Sequence, residues 1–432
     1  MKKLLTTIVS AIAIIAIAFI GYHNLGFEAQ ADKSKLRLLW EYAIDSNQSF
    51  INKSRSVKVT EKLLFLLHQG TLRAINTNTG KTVWLRKSNF LNFLVVDGGR
   101  LFVGNSSKKL LAFNSASGNQ LWSVSTKENV TGISVINNTV FANQGQLSAH
   151  DIKSGKQLWI TQLIPPIPSE ISPYIELDGV IICNTLIDGL LPANMIYALD
   201  AKNGRVKWKV DGQVLSSEAR LLYVAKRYEP HYLLGDFKFT LVKYNISDGK
   251  KLSENNFIIP PADPNLEAGK LPNAYDRPSG AGVFVFKNKL WIIVGGGYGS
   301  ALERYSLTDV PPQREARYEG LGSNELKWIE YGADVLVART ASGEVFGLDS
   351  ENPVFVLNSM GSKIQDIITV DDLIYCLYQN HILSVFNLKT KAIVFSERLE
   401  GLTEFDSMES INKFKNVLII QFTKKIKAFE MN

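Results

Sequence analysis

The side chains that most often carry out chemistry in enzymes are sparse in this sequence and are not grouped. No histidine belongs to an H-E-x-x-H motif or to another paired metal-binding spacing. The five histidines are His23, His68, His150, His231 and His381. The glycine-rich stretch 295–299 is followed by a strand pattern, so no helix N-terminus is present to bind a phosphate, and Asp371 and Asp372 lie in a turn between strands. We therefore predict no catalytic residue and no metal site, and the sequence leaves any cofactor-binding residue unknown.

The two cysteines, Cys183 and Cys376, both lie inside apolar runs that are typical of strands. Buried free thiols are the expectation for such positions. No C-x-x-C pair occurs, and no cysteine follows the apolar N-terminal segment. The two residues fall in the fourth and eighth copies of a repeat, so we expect them to lie too far apart to form a disulfide.

The composition is that of a folded chain with a large core. Apolar residues make up 45% and charged residues 21% of the 432 residues. The net charge of +7 is spread along the chain. A nucleic-acid-binding protein concentrates its positive charge on one module or beside aromatic residues, and neither pattern is found. The composition therefore argues against nucleic acid as a partner.

The N-terminus carries an export signal. Lys2 and Lys3 precede an uncharged, mostly apolar run over residues 4–20. This run is slightly short for a membrane-spanning helix, but it can act as an anchor if Gly21 and Tyr22 extend it into the interface. The small residues of Ala29-Gln30-Ala31 also permit cleavage. We assign residues 1–31 to a signal peptide or N-terminal membrane anchor and leave both outcomes open. Residues 32–432 are then one exported domain, periplasmic or extracellular.

A repeat of about 40 residues runs along the rest of the chain and predicts its fold. Each copy alternates short β-rich runs with Gly, Asn, Asp and Ser turns, the pattern of a four-stranded antiparallel sheet. Nine copies are found, and the first four end in a glycine turn followed by tryptophan. These glycines and tryptophans are Gly80, Gly118, Gly155, Gly204, Trp84, Trp122, Trp159 and Trp208. A sheet this small cannot cover its own faces, so neighbouring sheets must stack around an axis.

The two ends of the chain complement each other. The sequence ends after a third-strand pattern, residues 425–431, whereas residues 36–44 resemble a fourth strand without its first three. Pairing the two would complete the last sheet and remove both open edges. We therefore predict an all-β, closed β-propeller whose last blade is completed by the N-terminal strand.

The phrase A-x-[DN]-x-x-[TS]-G-[KN]-x-x-W at residues 74–84, 112–122 and 149–159, and at 198–208 with Asn203 and Arg205 beside the glycine, resembles the PQQ-repeat, or quinoprotein alcohol dehydrogenase-like, propeller family. The resemblance covers nearly the whole chain after the leader. It implies that the tryptophans pack between adjacent blades and that the glycines form the tight turns. It also implies about eight blades, one fewer than the nine copies counted, and the copy near 283–318 is the one expected to be irregular.

Long departures from the repeat are expected to cluster on one face of the ring. They cover residues 164–173, 186–194, 228–237, 258–282 and 295–300, in the fourth to sixth copies, while 309–317 belongs to the opposite side. Loops on a rigid scaffold commonly carry binding residues, although these loops could also simply cover the central channel. The candidate interaction residues are Arg227, Tyr228, Glu229, His231, Tyr232, Tyr275, Asp276 and Arg277.

Three functions are compatible with this pattern. The resemblance to the non-catalytic, BamB-like branch of the family implies a monomeric scaffold that binds protein partners in the cell envelope and needs no cofactor. A dehydrogenase using pyrroloquinoline quinone and calcium is the enzymatic alternative, but the chain is short for that class and lacks its vicinal cysteine pair. A surface sensor that binds a saccharide or a peptide is the third.

Overall fold

In a computed structural model of the chain, residues 36–44, 56–163, 175–187, 193–218, 220–226, 237–259, 283–287, 289–294, 300–307, 313–321, 329–331, 335–339, 345–348, 353–357 and 362–431 are described. All regular secondary structure within these ranges is β-strand. The strands form nine four-stranded antiparallel sheets, each made of consecutive strands except the last.

The first three sheets come from the best-conserved copies of the repeat phrase. Sheet one contains β2 (Val57–Val59), β3 (Leu63–His68), β4 (Thr71–Asn76) and β5 (Thr82–Lys87). Sheet two contains β6 (Phe90–Asp97), β7 (Arg100–Asn105), β8 (Lys109–Asn114) and β9 (Gln120–Ser125). Sheet three contains β10 (Gly132–Ile136), β11 (Thr139–Asn143), β12 (Leu147–Asp151) and β13 (Gln157–Thr161).

The next three sheets are separated by the longer connections. Sheet four contains β14 (Ile175–Leu177), β15 (Val180–Ile187), β16 (Ala193–Asp200) and β17 (Val206–Asp211). Sheet five contains β18 (Gln213–Glu218), β19 (Leu221–Lys226), β20 (Phe237–Asn245) and β21 (Lys251–Ile259). Sheet six contains β22 (Val283–Phe286), β23 (Lys289–Val294), β24 (Ser300–Ser306) and β25 (Arg314–Leu321).

The last three sheets end with the strand supplied by the N-terminus. Sheet seven contains β26 (Ile329–Tyr331), β27 (Val335–Arg339), β28 (Val345–Leu348) and β29 (Pro353–Leu357). Sheet eight contains β30 (Ile364–Val370), β31 (Leu373–Tyr378), β32 (Ile382–Asn387) and β33 (Ala392–Arg398). Sheet nine contains β34 (Met408–Phe414), β35 (Val417–Phe422), β36 (Lys425–Met431) and β1 (Leu36–Ala43).

Burial along the strands explains the sequence pattern. The second strands are continuous apolar runs, as in residues 64–67 of β3, because both of their faces pack against neighbouring sheets. The fourth strands alternate, and in β9 and β13 the tryptophan is the one buried residue. Residues such as Val83 and Leu121 are therefore exposed on the outer strands. Sheets one to three are thus buried at their middle strands and more exposed on their outer strands.

The sheets pack in chain order around a ring. Apolar clusters join sheet one to sheet two, two to three, three to four, four to five, five to six, and eight to nine. Strand β26 of sheet seven lies against β30 of sheet eight. Sheet nine packs on sheet one through Ile419 and Ile426, which meet Leu64 and Leu66. The two ends of the chain therefore meet, as the sequence predicted.

The nine sheets match the nine copies counted in the sequence and exceed by one the eight that the family resemblance implied. The copy near 283–318, expected to be irregular, forms a complete four-stranded sheet. Its third and fourth strands are paired across register shifts near Ser300–Leu302 and Arg304–Tyr305, and the second of these shifts also occurs at the corresponding place in sheet one, between Ala74 and Ile75.

The connections divide between the two ends of the ring. We call the end that carries the first-to-second and third-to-fourth strand turns the turn face; in sheet one these are residues 60–62 and 77–81. We call the other end the loop face; its connections at sheet one are 69–70 and 88–89. Backbone bonds such as Thr77 N to Lys62 O (3.1 Å) and Ser115 N to Gly99 O (2.9 Å) hold the two turns of a sheet together on the turn face.

Candidate functional site

Tryptophan–glycine contacts fasten successive sheets together. Trp84, on the outer strand of sheet one, packs on Gly118 in the turn of sheet two, where an added Cβ would lie 2.6 Å from the indole. The same pairing joins Trp122 to Gly155, Trp159 to Gly204 and Trp208 to Gly249. Each indole N–H also donates to a carbonyl of the next sheet, that of Ser115, Ile152, Ala201 and Ile246 in turn. We call each such pair a dock.

A fifth dock closes the ring and was missed in the sequence. Trp40 of β1 packs on Gly80, where an added Cβ would lie 2.6 Å from its ring, and its indole N–H donates to Thr77 O at 2.7 Å. The N-terminal strand therefore joins sheet nine to sheet one in the same way that the other outer strands join their neighbours. The Leu39-Trp40 pair was the available signal, because it repeats the outer-strand ending of the other copies.

The docks stop after sheet five. Register places Ser253 opposite Lys243, Ala316 opposite Arg304, Phe355 opposite Gly347 and Phe395 opposite Val385. These four residues occupy the position held by Trp84 opposite Ala74 in sheet one. The outer strands of sheets five to eight therefore lack a tryptophan at this position. Other side chains must fill the interface between each of these sheets and the next.

A buried carboxylate occupies the interface between sheets five and six. The Glu303 side chain is 1% exposed and accepts hydrogen bonds from Arg314 Nη1 at 2.8 Å and Arg317 Nη1 at 2.7 Å. The Tyr305 hydroxyl donates to its other oxygen, and the Tyr305 ring meets Phe257 of sheet five edge-on at 5.9 Å. Burial, together with the bond to Glu303, raises the pKa of Tyr305 well above its ordinary value. This ion cluster therefore packs against sheet five, whose outer strand lacks the tryptophan.

A buried polar column lies in sheet three. His150 is 1% exposed; its Nδ1 donates to Gly155 O at 3.1 Å, and its Nε2 lies 3.0 Å from Ser148 Oγ. Gln144 Nε2 donates to the same hydroxyl at 2.8 Å. Burial, which disfavours the imidazolium, lowers the pKa of His150 against the opposing effect of its bond to Gly155. The histidine is therefore a structural group next to the dock between Trp122 and Gly155.

The predicted interaction residues fall on two connections of the loop face. The first set, within 227–232, belongs to the connection between β19 and β20, and the second, 275–277, belongs to the connection between β21 and β22. Strand bounds place both connections at the same end of adjacent sheets five and six. Arg227, Tyr228, Glu229, His231, Tyr232, Tyr275, Asp276 and Arg277 themselves lie outside the described residues.

The loop-face connection between β33 and β34, residues 399–407, is longer than most of those described. Lys427, whose side chain is 3% exposed, donates to Glu400 O at 2.7 Å and pairs with Glu41 of β1 at 2.8 Å. Burial acts to raise the pKa of Asp406, but hydrogen bonds from Thr403 and the charge of Lys425 outweigh it, so the pKa lies below its usual value. Phe405 projects from this ordered segment with 67% of its surface exposed.

Neither the cysteines nor the common metal-binding side chains are grouped in the part of the chain that the structure describes. Cys183 of β15 and Cys376 of β31 are buried, free and in different sheets, and burial raises the pKa of Cys183. Within the described ranges no three His, Cys, Asp or Glu side chains lie close enough together to hold a metal ion. The described part of the chain also contains no apolar helix of membrane-spanning length.

The dock repeat coincides with a match to a known family. A family model described as "Outer membrane protein assembly factor BamB" matches residues 29–161, 68–211 and 137–257 in three overlapping copies. Together these matches cover more than half of the chain, including all five docks. The chain belongs to this family. The BamB family is thus the branch of the PQQ-repeat propellers that the sequence resembled.

Individual relatives share less with the chain. The BamB protein of Francisella salina is 30% identical over 66 residues, which is 15% of this chain and 13% of that protein. The crystal structure of BamB from Moraxella catarrhalis has a TM-score of 0.45 at 12% identity, over 92% of this chain and 100% of that one. A quinohemoprotein alcohol dehydrogenase from Pseudomonas putida has a TM-score of 0.47 at 10% identity, over 94% of this chain and 78% of that one.

Proposed function

We propose that this protein is a non-catalytic, exported scaffold that holds protein partners of the cell envelope through the loop face of sheets four to six. Membership of the BamB family supports a role in outer-membrane protein assembly. The main structural support is the arrangement of connections. All five long departures from the repeat join strands at the loop face, whereas the described third-to-fourth turns in sheets one to five are short.

A rigid ring suits this role. The docks and apolar clusters hold the sheets, so loops can lengthen at one end without disturbing the core. Arginine and tyrosine, which are frequent among the candidate residues, are also enriched at the energetic centres of protein interfaces. Prolines at 260, 261 and 264 would restrict one of these loops before binding and lower the entropy lost when a partner binds.

The positions of the two cysteines argue against the dehydrogenase alternative. The resemblance implies a vicinal cysteine pair beneath the quinone in those enzymes, whereas Cys183 and Cys376 lie in sheets four and eight. We accordingly propose that no quinone or calcium is needed for function. Adding both to the purified protein should leave its melting temperature and its absorbance spectrum unchanged, and a saturable shift in either would contradict this proposal.

Site-specific photocrosslinking in cells tests the scaffold proposal. A photoreactive phenylalanine analogue at Tyr228, Tyr232 or Tyr275 should capture a protein that mass spectrometry identifies as an envelope assembly component. The matched control is Ala116 in sheet two, which is exposed on the turn face. Capture of the same protein from Ala116 alone, with none from the three loop positions, would overturn the assignment of the binding face.

A further inference from the structure

The third-to-fourth strand turns of the turn face carry an unusual excess of positive charge. Eight exposed basic side chains lie on these turns in sheets one, three, four, five and eight. They are Lys81, Lys153, Lys156, Lys202, Arg205, Lys250, Lys389 and Lys391. Asp248 is the one exposed acidic residue on the same described turns.

Turn geometry presents these side chains outward. A side-chain oxygen at the end of the third strand accepts backbone N–H groups of the turn, as Asp151 does from Ser154 at 2.8 Å and Asp200 does from Lys202 at 2.9 Å. Because these carboxylates are half-buried and already bonded, they only partly offset the neighbouring lysines. Lys389, by contrast, is paired with Asp372.

Neighbouring connections do not show this excess. On the first-to-second turns of the same face, charges are balanced and partly paired, as in Glu61 with Lys415 and Asp178 with Arg220. On the described connections of the loop face, Lys108 pairs with Glu128 at 2.8 Å. Among the connections that the structure describes, the excess of positive charge is therefore confined to the third-to-fourth turns, at the outer part of the turn face.

The N-terminal segment reaches the ring at this same end. Leu36, the first residue of β1, pairs with Met431 at the end of β36, and Met431 N donates to Asn416 O in the turn between β34 and β35. Strand β1 therefore begins on the turn face. The residues before it include Lys2, Lys3 and the apolar run 4–20.

We propose that the turn face rests on a membrane surface rich in anionic phospholipid headgroups. The apolar N-terminal run would bring this face towards the bilayer, and the basic turns would meet lipid phosphates. Lysine and arginine near an anionic membrane are attracted by its negative surface potential. The described turns contain no aromatic residue on which nucleic-acid bases could stack, which favours lipid over a nucleic acid. In this orientation the loop face points away from the membrane and remains open to partners.

Headgroup proximity tests the proposal on the full-length chain in vesicles. Both native cysteines are buried, so a fluorophore can be attached to a cysteine introduced at Ala116 on the turn face or at Ser106 on the loop face of the same sheet. The vesicles contain nitroxide-headgroup lipid in phosphatidylcholine, with or without about one third phosphatidylglycerol. We expect the phosphatidylglycerol to raise quenching at residue 116 by about twofold or more over residue 106. Pure phosphatidylcholine measures the effect of the N-terminal tether alone.

Charge variants separate this binding from general attraction. Replacing Lys153, Lys156, Lys202 and Arg205 by glutamine should abolish the difference between the two probes. The matched control removes four exposed lysines of the loop face, through Lys108→Gln, Lys127→Gln, Lys363→Gln and Lys424→Gln, and should leave the difference intact. About 0.5 M salt should also remove it, because exposed charges are screened. Equal quenching of the two probes, or equal effects of the two variants, would overturn the proposal.

Discussion

At the scale of single residues, the docks depend on glycine for two separate reasons. Gly155 has a φ of +72°, a conformation that strains any other residue, and it also faces the Trp122 ring. Gly145 has a similar φ of +76°, but an added Cβ there would meet nothing within 4 Å. The two positions therefore allow backbone strain and loss of the dock to be measured separately.

Gly145→Ala should lower the free energy of unfolding by about 1 to 2 kcal/mol, because it adds strain only. Gly155→Ala should cost about 1 to 3 kcal/mol more, because its Cβ would lie 2.7 Å from the indole and must displace it. Urea unfolding followed by tryptophan fluorescence measures both. Equal losses would mean that the indole moves aside freely and that the dock contributes little to stability.

A second prediction at this scale concerns Glu303. Glu303→Gln removes the charge that Arg314 and Arg317 bind in a buried site, so we expect a loss of about 2 kcal/mol or more in unfolding free energy. Glu254→Gln is the control, because Glu254 pairs with Lys251 on the exposed outer strand and should change stability little. If both variants unfolded at the same urea concentration as the parent, the buried cluster would not be a stabilising part of the interface.

At the scale of elements, the sheets share their strand pairing but differ in which polar side chains they bury. Sheets one, two and four place Ile75, Phe113 and Leu199 at the position that His150 occupies in sheet three, immediately after the dock alanine. Sheet three alone of these four has a titratable group beside its dock. Its stability should therefore depend on pH in a way that its neighbours' stability does not.

The sign of this dependence follows from the lowered pKa of His150. The neutral ring is favoured in the folded protein, so its contribution is complete above the unfolded value of 6.5 and is lost as pH falls through the lower folded value. We expect the parent to lose more thermal stability between pH about 7.5 and about 5.5 than His150→Leu does. Leucine occupies this position in sheet four, and Gln144 still bonds Ser148 in its absence. If the melting temperatures of the two proteins fell by the same amount over this pH range, the prediction would be contradicted.

At the scale of the whole molecule, stability depends on the meeting of the chain ends. Strand β1 completes sheet nine, docks Trp40 on Gly80 and pairs Glu41 with the buried Lys427. Its removal would expose the edge of β36 and the apolar surface between sheets nine and one.

Deleting residues 36–44 should therefore lower unfolding stability by about 3 kcal/mol or more, as large core truncations do. Trp40→Ala, which leaves the strand in place, should cost less. Thermal unfolding by circular dichroism compares the two, with faster amide exchange of β36 as a local readout. A deletion variant that melts at the parent's temperature would show that ring closure does not limit stability.

The repeat made much of this architecture predictable from sequence. The dock glycines and tryptophans recur at a fixed short spacing, and continuous apolar runs mark strands with two buried faces. Local patterns were therefore enough to find nine copies of the repeat and the role of β1, whereas the family resemblance implied about eight blades, one fewer than the nine sheets. The candidate interaction residues were chosen from loop length and residue type, and they remain predictions.

The dock of Trp40 and the buried ion cluster could not be predicted in this way, because they depend on contacts between residues far apart in the chain. Trp40 reaches Gly80 only after β1 has paired with β36, and the Glu303 cluster becomes visible only when register aligns β24 with β25 across a bulge. The presence of eight basic side chains at one end also depends on how the sheets are arranged, since this places the turns of five sheets at the same end. Local sequence patterns specify which strands form, whereas closure of the ring brings their distant surfaces into contact.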